Sequence, residues 1–288
     1  MSAPRATPPV TRFAPSPTGP LHLGHAFSAL TAADRAAGGT FLLRIEDIDR
    51  ARCRPEFETA TYDDLHWLGL RWPDPVMRQS ARMPAYRAAL CQLANLGVLY
   101  PCRCRRADIR AALGAPQEGA PIGPDGLVYP GTCRARPMSD ATPDDALRLD
   151  MARALRLAGA ATFVETGAAF DGEHALDPDW MRAQVGDVVL ARRDMGTSYH
   201  LSVVVDDAAQ SITEVVRGVD LFEATFIHLL LQRLLELPTP AYHHHRLIRD
   251  DAGKRLAKRD DARAIAAYRA AGATPDDLRG WLNLPRAA

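Results

Sequence analysis

The sequence has no excess charge of either sign, few cysteines and no long apolar run. Its 288 residues include 35 lysines and arginines against 35 aspartates and glutamates, so no global positive field marks a nucleic-acid partner. No apolar stretch reaches the roughly 18 residues of a membrane span, and the N-terminal MSAPRATPPV lacks the apolar core of a signal peptide. Five cysteines are an odd number without the framework of a secreted disulfide protein. We therefore expect a cytoplasmic protein with no membrane partner.

The apolar pattern that is present indicates an α/β fold. Hydrophobic residues make up 47% of the chain, which is enough for a sizeable core. A predicted strand at 10–14 is followed by a proline- and glycine-rich turn, a predicted helix at 23–39 and a second strand at 40–50. This order is typical of a doubly wound parallel sheet.

The turn after the first strand contains two histidines. It reads FAPSPTGPLHLGH and puts His22 and His25 on the first turn of the predicted helix. In α/β proteins this turn binds phosphates, because the helix N-terminus offers N–H groups and a partial positive charge. Gly24 lets the backbone approach a ligand closely. Two structural capping histidines are the alternative, but the motif favours imidazoles that donate hydrogen bonds to a phosphate.

A second candidate phosphate-binding segment is the basic sequence GKRLAKRD at 253–260. A loop of this composition can fold over a triphosphate, with Lys258 as a point charge. The alternative interpretation is a solvated basic loop.

These segments resemble the two signature motifs of the class I aminoacyl-tRNA synthetases. HLGH at 22–25 is similar to the first signature and RLAKR at 255–259 to the second. The surrounding RFAPSPTGPLHLGHA and LRIEDIDR, with SYHLSVVVDDA and ITEVVRG further along, are similar to the glutamyl branch of that class. The resemblance covers most of the chain from Arg12 to about Asp260. Ala257 stands where many relatives carry serine, which removes a hydroxyl but keeps the lysine.

The resemblance implies an α/β fold class with a Rossmann-type, doubly wound parallel sheet in the catalytic domain. It also implies an inserted zinc-binding subdomain and a short helical C-terminal tail. The regular pattern of the sequence breaks down after residue 98, where cysteine, proline and glycine are frequent. The predicted segments are the first half of the catalytic domain at 1–97, the insertion at 98–180, the second half at 181–245, and the signature lysine loop with a helical tail at 246–288.

The family activates an amino acid with ATP, forming an acyl-adenylate and pyrophosphate, and Mg²⁺ accompanies the ATP. Such a reaction needs positioning and charge stabilisation and no side-chain nucleophile. This agrees with the absence of a Ser-His-Asp or Cys-His constellation from the sequence. By the resemblance, His22, Gly24, His25 and Lys258 bind ATP, and the two histidines and the lysine are the catalytic groups.

The resemblance also implies a pocket for L-glutamate. Its residues would be Arg12, Ala14, Ser16, Glu46, Tyr199 and Arg217. Glu46 would accept the ammonium group of the substrate, and a solvated strand end is its alternative role. Arg12 and Arg217 also suit a substrate with two carboxylates on physical grounds, because a guanidinium forms paired hydrogen bonds with a carboxylate.

Three of the five cysteines are clustered in the interrupted part of the sequence. Cys102 and Cys104 form a C-x-C pair, and Cys133 follows in the segment VYPGTCRARP. In a reducing compartment such a cluster suggests a metal more than disulfides. The sequence therefore predicts one structural Zn²⁺, with free thiols as the alternative.

A structural zinc site needs a fourth ligand. No histidine lies between positions 67 and 173, and composition alone leaves Asp108 and Asp125 open for this role. In the proteins that the chain resembles, the fourth ligand is the residue equivalent to Tyr129.

Two branches of the family compete as the interpretation. One charges tRNA for translation, and a shorter paralogous family attaches activated glutamate to queuosine in the anticodon of tRNA(Asp). Only 30 residues follow Lys258 (288 − 258), fewer than the about 50 of a domain, so we expect no anticodon-reading domain. The motifs IEDID, RGVDL, C-x-C and Y-x-x-x-C are similar to the shorter family.

The sequence thus predicts ATP-dependent, tRNA-independent activation of glutamate and its transfer to queuosine-bearing tRNA(Asp), by a monomer. Basic segments at 101–110, 133–137 and 254–263 are candidate RNA contacts despite the zero net charge, with solvated faces as their alternative. A translating synthetase and a catalytically silent tRNA-binding module are the alternative functions.

Overall fold

The structure is a computed structural model that describes residues 8–113, 122–248 and 263–286. Lys258 and the second signature motif lie outside the described residues. Within the described ranges, no helix combines the length and the apolar character needed to cross a lipid bilayer.

Short strands alternate with helices along most of the chain. The strands are β1 Val10–Phe13, β2 Thr40–Ile45, β3 Met77–Arg78, β4 Leu99–Cys102, β5 Ile122–Gly123, β6 Gly126–Leu127, β7 Ala146–Leu149, β8 Thr162–Glu165, β9 Gly172–Ala175, β10 Val189–Ala191, β11 Glu214–Gly218 and β12 Ala241–His245. The α-helices are α1 Leu23–Arg35, α2 Pro55–Trp67, α3 Met83–Asn95, α4 Arg106–Ala112, α5 Met151–Ala158, α6 Pro178–Trp180, α7 Tyr199–Ala209, α8 Ala224–Leu234, α9 Ile265–Ala270 and α10 Pro275–Trp281.

Parallel strands form the centre of the fold in two groups. β1, β2 and β3 are parallel neighbours, and β11, β12 and β8 form a second parallel set with β9 antiparallel at its edge. β1 and β11 lie side by side, because Thr213 N–H donates to Val10 O at 3.0 Å and Val10 N–H donates to Thr213 Oγ1 at 2.8 Å. The order along the chain reverses between β1 and β11, and in α/β folds ligands bind beyond the carboxyl ends of the strands at such a reversal.

Helices cover both faces of these strands. Successive side chains of a strand point to opposite faces, and Leu43 of β2 lies in one hydrophobic core whereas Leu42 packs against the other. The first core contains α1 and α10, and the larger second core contains α3, α5, α7 and α8. The predicted α/β fold with a parallel sheet is therefore confirmed.

An antiparallel sheet of β10, β7 and β4, with the β5–β6 hairpin and α4, carries the cysteine-rich part of the chain. Strands from the two sides of residue 180 pair with each other. β8, from the range 98–180, pairs with β12, and β10, from the range 181–245, pairs with β7. The division of the chain into four segments stays a prediction.

Candidate active site

A cavity of about 580 Å³ opens beyond the carboxyl ends of β1 and β11. It is lined by every residue predicted to bind glutamate or ATP apart from Lys258, which lies outside the described residues. These lining residues are Arg12, Ala14, Ser16, His22, Gly24, His25, Glu46, Tyr199 and Arg217. The structure thus brings them together around one space, and the role of each stays a prediction.

The two histidines of the first signature cap the N-terminus of α1. His22 is the N-cap residue, and its Nδ1 accepts a hydrogen bond from Gly24 N–H at 3.1 Å. His25 Nδ1 accepts from His22 N–H at 3.1 Å, and the two rings lie 3.8 Å apart between centroids. Because each Nδ1 accepts, each neutral ring carries its proton on Nε2. Capping and phosphate binding are therefore compatible roles, since the caps fix the orientation of both imidazoles.

The described chain on both sides of the second signature lies near this helix end. Leu247 and Ile248 line the cavity. Ala264 forms an isolated antiparallel bridge with His22, and Ile265 N–H donates to Leu21 O at 2.9 Å. Both ends of the segment that contains Lys258 are therefore held near the first signature.

A buried cluster of two arginines and two carboxylates lies behind one wall of the cavity. Arg12 donates two hydrogen bonds to Asp207, from Nε to Oδ1 at 2.9 Å and from Nη2 to Oδ2 at 3.2 Å. Arg44 donates to the same Asp207 Oδ1 at 2.7 Å and to Glu46 Oε1 at 3.2 Å. Asp207 therefore fixes both guanidinium groups, and Arg44 fixes Glu46.

The two carboxylates of this cluster have opposite pKa shifts. Burial disfavours ionisation of Asp207, but attraction to Arg12 and Arg44 outweighs burial and lowers the pKa of this carboxyl. Burial raises the pKa of Glu46 against the opposing attraction of Arg44 and Arg12. The charge of Glu46 is thus the less compensated of the two, which suits Glu46 to a cationic ligand group such as an ammonium.

Arg217 and Tyr199 adjoin on another wall of the cavity. Arg217 Nη1 lies 3.4 Å from the hydroxyl oxygen of Tyr199. Burial raises the pKa of Tyr199, so its phenol stays neutral at physiological pH and can donate a hydrogen bond to an anionic ligand.

The three clustered cysteines converge with Tyr129 beside β4. The three sulfur atoms lie within 4.8 Å of one another and could hold a metal ion. Cys104 Sγ is 3.6 Å from Cys133 Sγ, and Tyr129 Oη lies 3.4 Å from Cys102 Sγ and 3.3 Å from Cys104 Sγ. Tetrahedral zinc, with bonds of about 2.3 Å to sulfur and 2.0 Å to oxygen, places sulfurs about 3.8 Å apart and a sulfur and an oxygen about 3.5 Å apart. The donor set therefore fits zinc.

The cysteines of the cluster have different environments, and burial raises the pKa of the Cys104 thiol. Arg148 Nε lies 3.3 Å from Cys102 Sγ, and its guanidinium carbon lies 3.9 Å from the centre of the Tyr129 ring. Burial opposes ionisation of Cys133, but hydrogen bonds, above all that with Tyr129, lower the pKa of its thiol to about 7. Thiolates are the form of cysteine that binds metal.

A second cavity, of about 760 Å³, adjoins the first, because Tyr199 and Leu221 line both. We call it the arginine groove after the cations that line it. These are Arg105, Arg106, Arg110, Arg148, Arg192 and Arg193. Arg193 connects the groove to the cysteine cluster, because its Nη2 donates to Cys102 O at 3.2 Å and to Cys104 O at 3.1 Å.

Sequence reasoning missed several buried groups that orient the expected site residues. They are Arg44, Glu165, Asp207, Thr225, His228 and His244. Arg44 and Asp207 offered a signal, since each is a charged residue next to an apolar stretch, in FLLRIE and SVVVDDA.

Comparisons with known proteins agree with this geometry. The family of tRNA synthetases class I (E and Q), catalytic domain, matches residues 9–135 and 144–284. The glutamyl-Q tRNA(Asp) synthetase of Rhodobacter capsulatus is 63% identical over 280 residues, covering 96% of this chain and 100% of that protein. The one from Nocardia farcinica is 43% identical over 274 residues, covering 94% of this chain and 83% of that protein.

A solved structure supports the same assignment. The glutamate-tRNA synthetase of Elizabethkingia anophelis superposes with a TM-score of 0.72 at 25% identity, and the match covers 96% of this chain and 61% of that chain. The chain thus spans about three-fifths of the longer synthetase. The expected resemblance to the glutamyl branch, and within it to the shorter paralogue, is confirmed. The chain belongs to the glutamyl-Q tRNA(Asp) synthetase family, within the class I tRNA synthetases of the glutamate and glutamine type.

Proposed function

We propose that the protein is a ligase that activates L-glutamate with ATP and transfers the glutamyl group to queuosine in the anticodon of tRNA(Asp). One observation carries the proposal: the residues predicted to bind glutamate and those of the first signature surround a single cavity. The names of relatives at 63% and 43% identity support the choice of acceptor.

In the activation step, the α-carboxylate of glutamate attacks the α-phosphorus of ATP. A new oxygen–phosphorus bond forms, the bond to the leaving pyrophosphate breaks, and glutamyl-adenylate results. Negative charge shifts to phosphate oxygens, where His22 and His25 would donate from Nε2 beside the positive end of α1. Lys258 would add a point charge, and Mg²⁺, when bound with ATP, neutralises the phosphates.

In the glutamate pocket, Glu46 would accept the substrate ammonium. Its side chain is 11% exposed, and its carboxylate is fixed by Arg44. Arg12 and Arg217 would face the two carboxylates as positive groups. Ala14 and Ser16, in the turn after β1, would line the pocket between the amino acid and the phosphates.

Pyrophosphate exchange tests this activation step. We expect exchange that depends on glutamate and proceeds without tRNA. Lys258→Ala should lower the exchange rate at least about tenfold, equivalent to about 1.4 kcal/mol. Lys254→Ala, which changes the only other lysine of the chain, is the matched control. Exchange that requires tRNA would contradict tRNA-independent activation, and a lack of all exchange would favour a silent binding module.

We also propose that Cys102, Cys104, Tyr129 and Cys133 bind one structural zinc ion. The convergence of three sulfurs and a phenol at distances suited to a tetrahedral ion supports this assignment. Zinc there would join β4 to the Tyr129–Cys133 segment and hold Arg193, and so one side of the arginine groove, in place.

Elemental analysis should find about one zinc per chain. The double substitution of Cys102→Ser with Cys133→Ser should remove the zinc and lower the melting temperature, since binding energy at a structural site contributes to folding. Cys91→Ser is the control, because Cys91 is an exposed cysteine on α3. A purified protein free of metal but as stable as the zinc-loaded protein would refute a structural role.

The acceptor would approach from the side of the arginine groove. Anticodon-loop bases can be unstacked and inserted into a pocket, whereas paired bases cannot. Tyr199 and Leu221 line both cavities, so a base in the groove would be close to an adenylate in the first cavity. A nucleophilic group of queuosine would then attack the activated carbonyl, forming the new bond and releasing AMP.

A further inference from the structure

Arg217 is a buried arginine whose N–H groups are all directed at neutral acceptors. Its side chain is 5% exposed. The acceptors are His244 Nε2 at 3.0 Å, His228 Nδ1 at 3.0 Å, Tyr199 Oη at 3.4 Å, Leu221 O at 3.2 Å and Thr225 Oγ1 at 2.7 Å. The two longest of these contacts are those to Tyr199 and Leu221. Both residues line the glutamate cavity.

This environment differs from that of the other buried arginines of the site. Arg12 and Arg44 share the carboxylate of Asp207, and Arg44 also pairs with Glu46. Among the residues that the structure describes, no carboxylate lies within 4.0 Å of the Arg217 guanidinium. Its positive charge is therefore not compensated by an adjacent ion pair, although the group is nearly inaccessible to water.

His228 can accept a hydrogen bond from Arg217 only as a neutral imidazole. Arg217 Nη1 donates to His228 Nδ1, so the proton of the ring lies on Nε2. That Nε2–H then donates to His200 Nδ1 at 3.2 Å, which fixes the ring. Burial, reinforced by repulsion from Arg217, lowers the pKa of His228 well below the ordinary histidine value, in agreement with a neutral ring.

His244 has the same relation to Arg217 on the other side. Arg217 Nε donates to His244 Nε2, and the proton on His244 Nδ1 is directed at the carboxylate of Glu165. Burial lowers the pKa of His244, although Glu165 opposes this effect. Glu165 therefore orients the ring and does not reach Arg217.

The expected orientation of glutamate in the cavity indicates which of its groups would face Arg217. The α-carboxylate of glutamate must face the phosphates at His22 and His25, because it is the attacking group. The ammonium would lie at Glu46. The side-chain carboxylate is then the remaining charged group, and Arg217 is the cavity arginine that has no carboxylate partner among the described residues.

We propose that His228 and His244 determine the specificity for glutamate by holding Arg217 through neutral nitrogen acceptors, so that its charge is kept for the side-chain carboxylate. This inference rests on the proposed function. A carboxylate in place of either ring would hold Arg217 equally well but compensate its charge. The substrate carboxylate would then lose its advantage over the neutral amide of glutamine.

An isosteric pair of variants separates charge from shape. In both His228→Asn and His228→Asp, Oδ1 takes the place of Nδ1 as the acceptor for Arg217, and both lose the bond to His200. We expect the KM for glutamate in exchange to be at least about tenfold higher in His228→Asp than in His228→Asn, equivalent to about 1.4 kcal/mol. The kcat and the KM for ATP should differ little within the pair, and the preference for glutamate over glutamine should fall by a similar factor.

A second pair applies if His228→Asp does not fold. Thr225→Asn and Thr225→Asp place the same neutral and charged groups beside Arg217 Nη2, and circular dichroism of each variant checks its fold. Equal KM values and equal glutamate preference within the folded pairs would overturn the inference.

The wild-type protein is measured first, so that failure of the inference can be told from failure of the proposed function. Wild-type activity with unchanged preference in the variants would refute the inference while leaving the proposed function intact. A wild-type protein without glutamate-dependent exchange would refute the proposed function itself.

Discussion

Replacing Glu46 with glutamine is expected to raise the KM for glutamate by about 30-fold or more. Removing one charge from a buried ionic contact costs about 2–5 kcal/mol, and each 1.4 kcal/mol is a factor of ten. The glutamine amide keeps the size of the side chain, and its oxygen can still accept the hydrogen bond from Arg44. Only the negative charge that would meet the substrate ammonium is lost. Pyrophosphate exchange at varied glutamate concentrations measures the effect, and the KM for ATP should change little.

The stability of this variant distinguishes binding from structure. Because the folded pKa of Glu46 lies above its ordinary value, the folded state binds this proton more tightly than the unfolded state does. Ionised Glu46 therefore costs stability as the pH rises through the raised pKa. At neutral pH the Glu46→Gln protein should unfold at the same temperature as the wild type or higher. A structural role for Glu46 would instead lower the melting temperature together with the affinity.

The pH profile and a control variant complete this test. In the wild type, kcat/KM for glutamate should fall as the pH drops through the raised pKa, because protonated Glu46 no longer attracts an ammonium. The glutamine variant should lack that limb of the profile. Glu58→Gln is the matched control, since Glu58 bonds to Tyr62 and Arg78 away from the cavity. An unchanged KM for glutamate in Glu46→Gln would remove Glu46 from the ammonium site.

The part of the expected site to which composition and spacing pointed is local. His22, Gly24 and His25 form one short motif, and a strand–turn–helix pattern alone puts that motif at the N-terminus of a helix, where α/β folds commonly bind phosphates. Glu46 follows the apolar run of β2 directly. The motif depends on neighbours in the sequence, so composition and spacing carry the information, whereas the glutamate pocket of Glu46, Tyr199 and Arg217 was implied by the family resemblance.

The groups that were missed act across the fold. Arg44 and Asp207 are separated by 163 positions, and Glu165 and His244 by 79. No local pattern tells which buried acid meets which buried base, because the pairing is set by the order of strands in the sheet. The four-residue strand β8 was not predicted from the sequence for a related reason. A short strand in the alanine-rich stretch GAATFVETGAA becomes evident only through its pairing with β12.

The acceptor should show the largest difference in activity. We expect labelled glutamate to be transferred to queuosine-bearing tRNA(Asp) and not to the same tRNA without queuosine. Loss of the nucleophile itself removes the reaction instead of weakening it, so the difference should exceed the roughly 10²–10⁴-fold of a lost catalytic group. A queuosine-bearing anticodon stem–loop without any 3′ terminal CCA should also accept glutamate. Transfer to such a stem–loop would place the attachment site in the anticodon arm.

Variants of the arginine groove separate acceptor binding from activation. Arg106 and Arg110 lie on α4 in the groove, outside the cavity assigned to glutamate and ATP. Arg106→Ala with Arg110→Ala should slow transfer and leave exchange without tRNA unchanged. Each lost phosphate contact should reduce the slope of log affinity against log salt by about 0.7–0.9. Arg156→Ala, an exposed arginine on α5, is the control.

One result would contradict this acceptor, and another would contradict its approach through the arginine groove. Efficient charging of unmodified tRNA(Glu) at its 3′ end would assign the protein to the translating branch, despite the 63% identity to a glutamyl-Q tRNA(Asp) synthetase. Equal transfer by the Arg106/Arg110 variant and the wild type at every salt concentration would show that the RNA approaches elsewhere. The adenylate would then have to be reached from the side of α1. That approach would bring the RNA to Leu247 and Ile248, which also line the cavity, instead of to Tyr199 and Leu221.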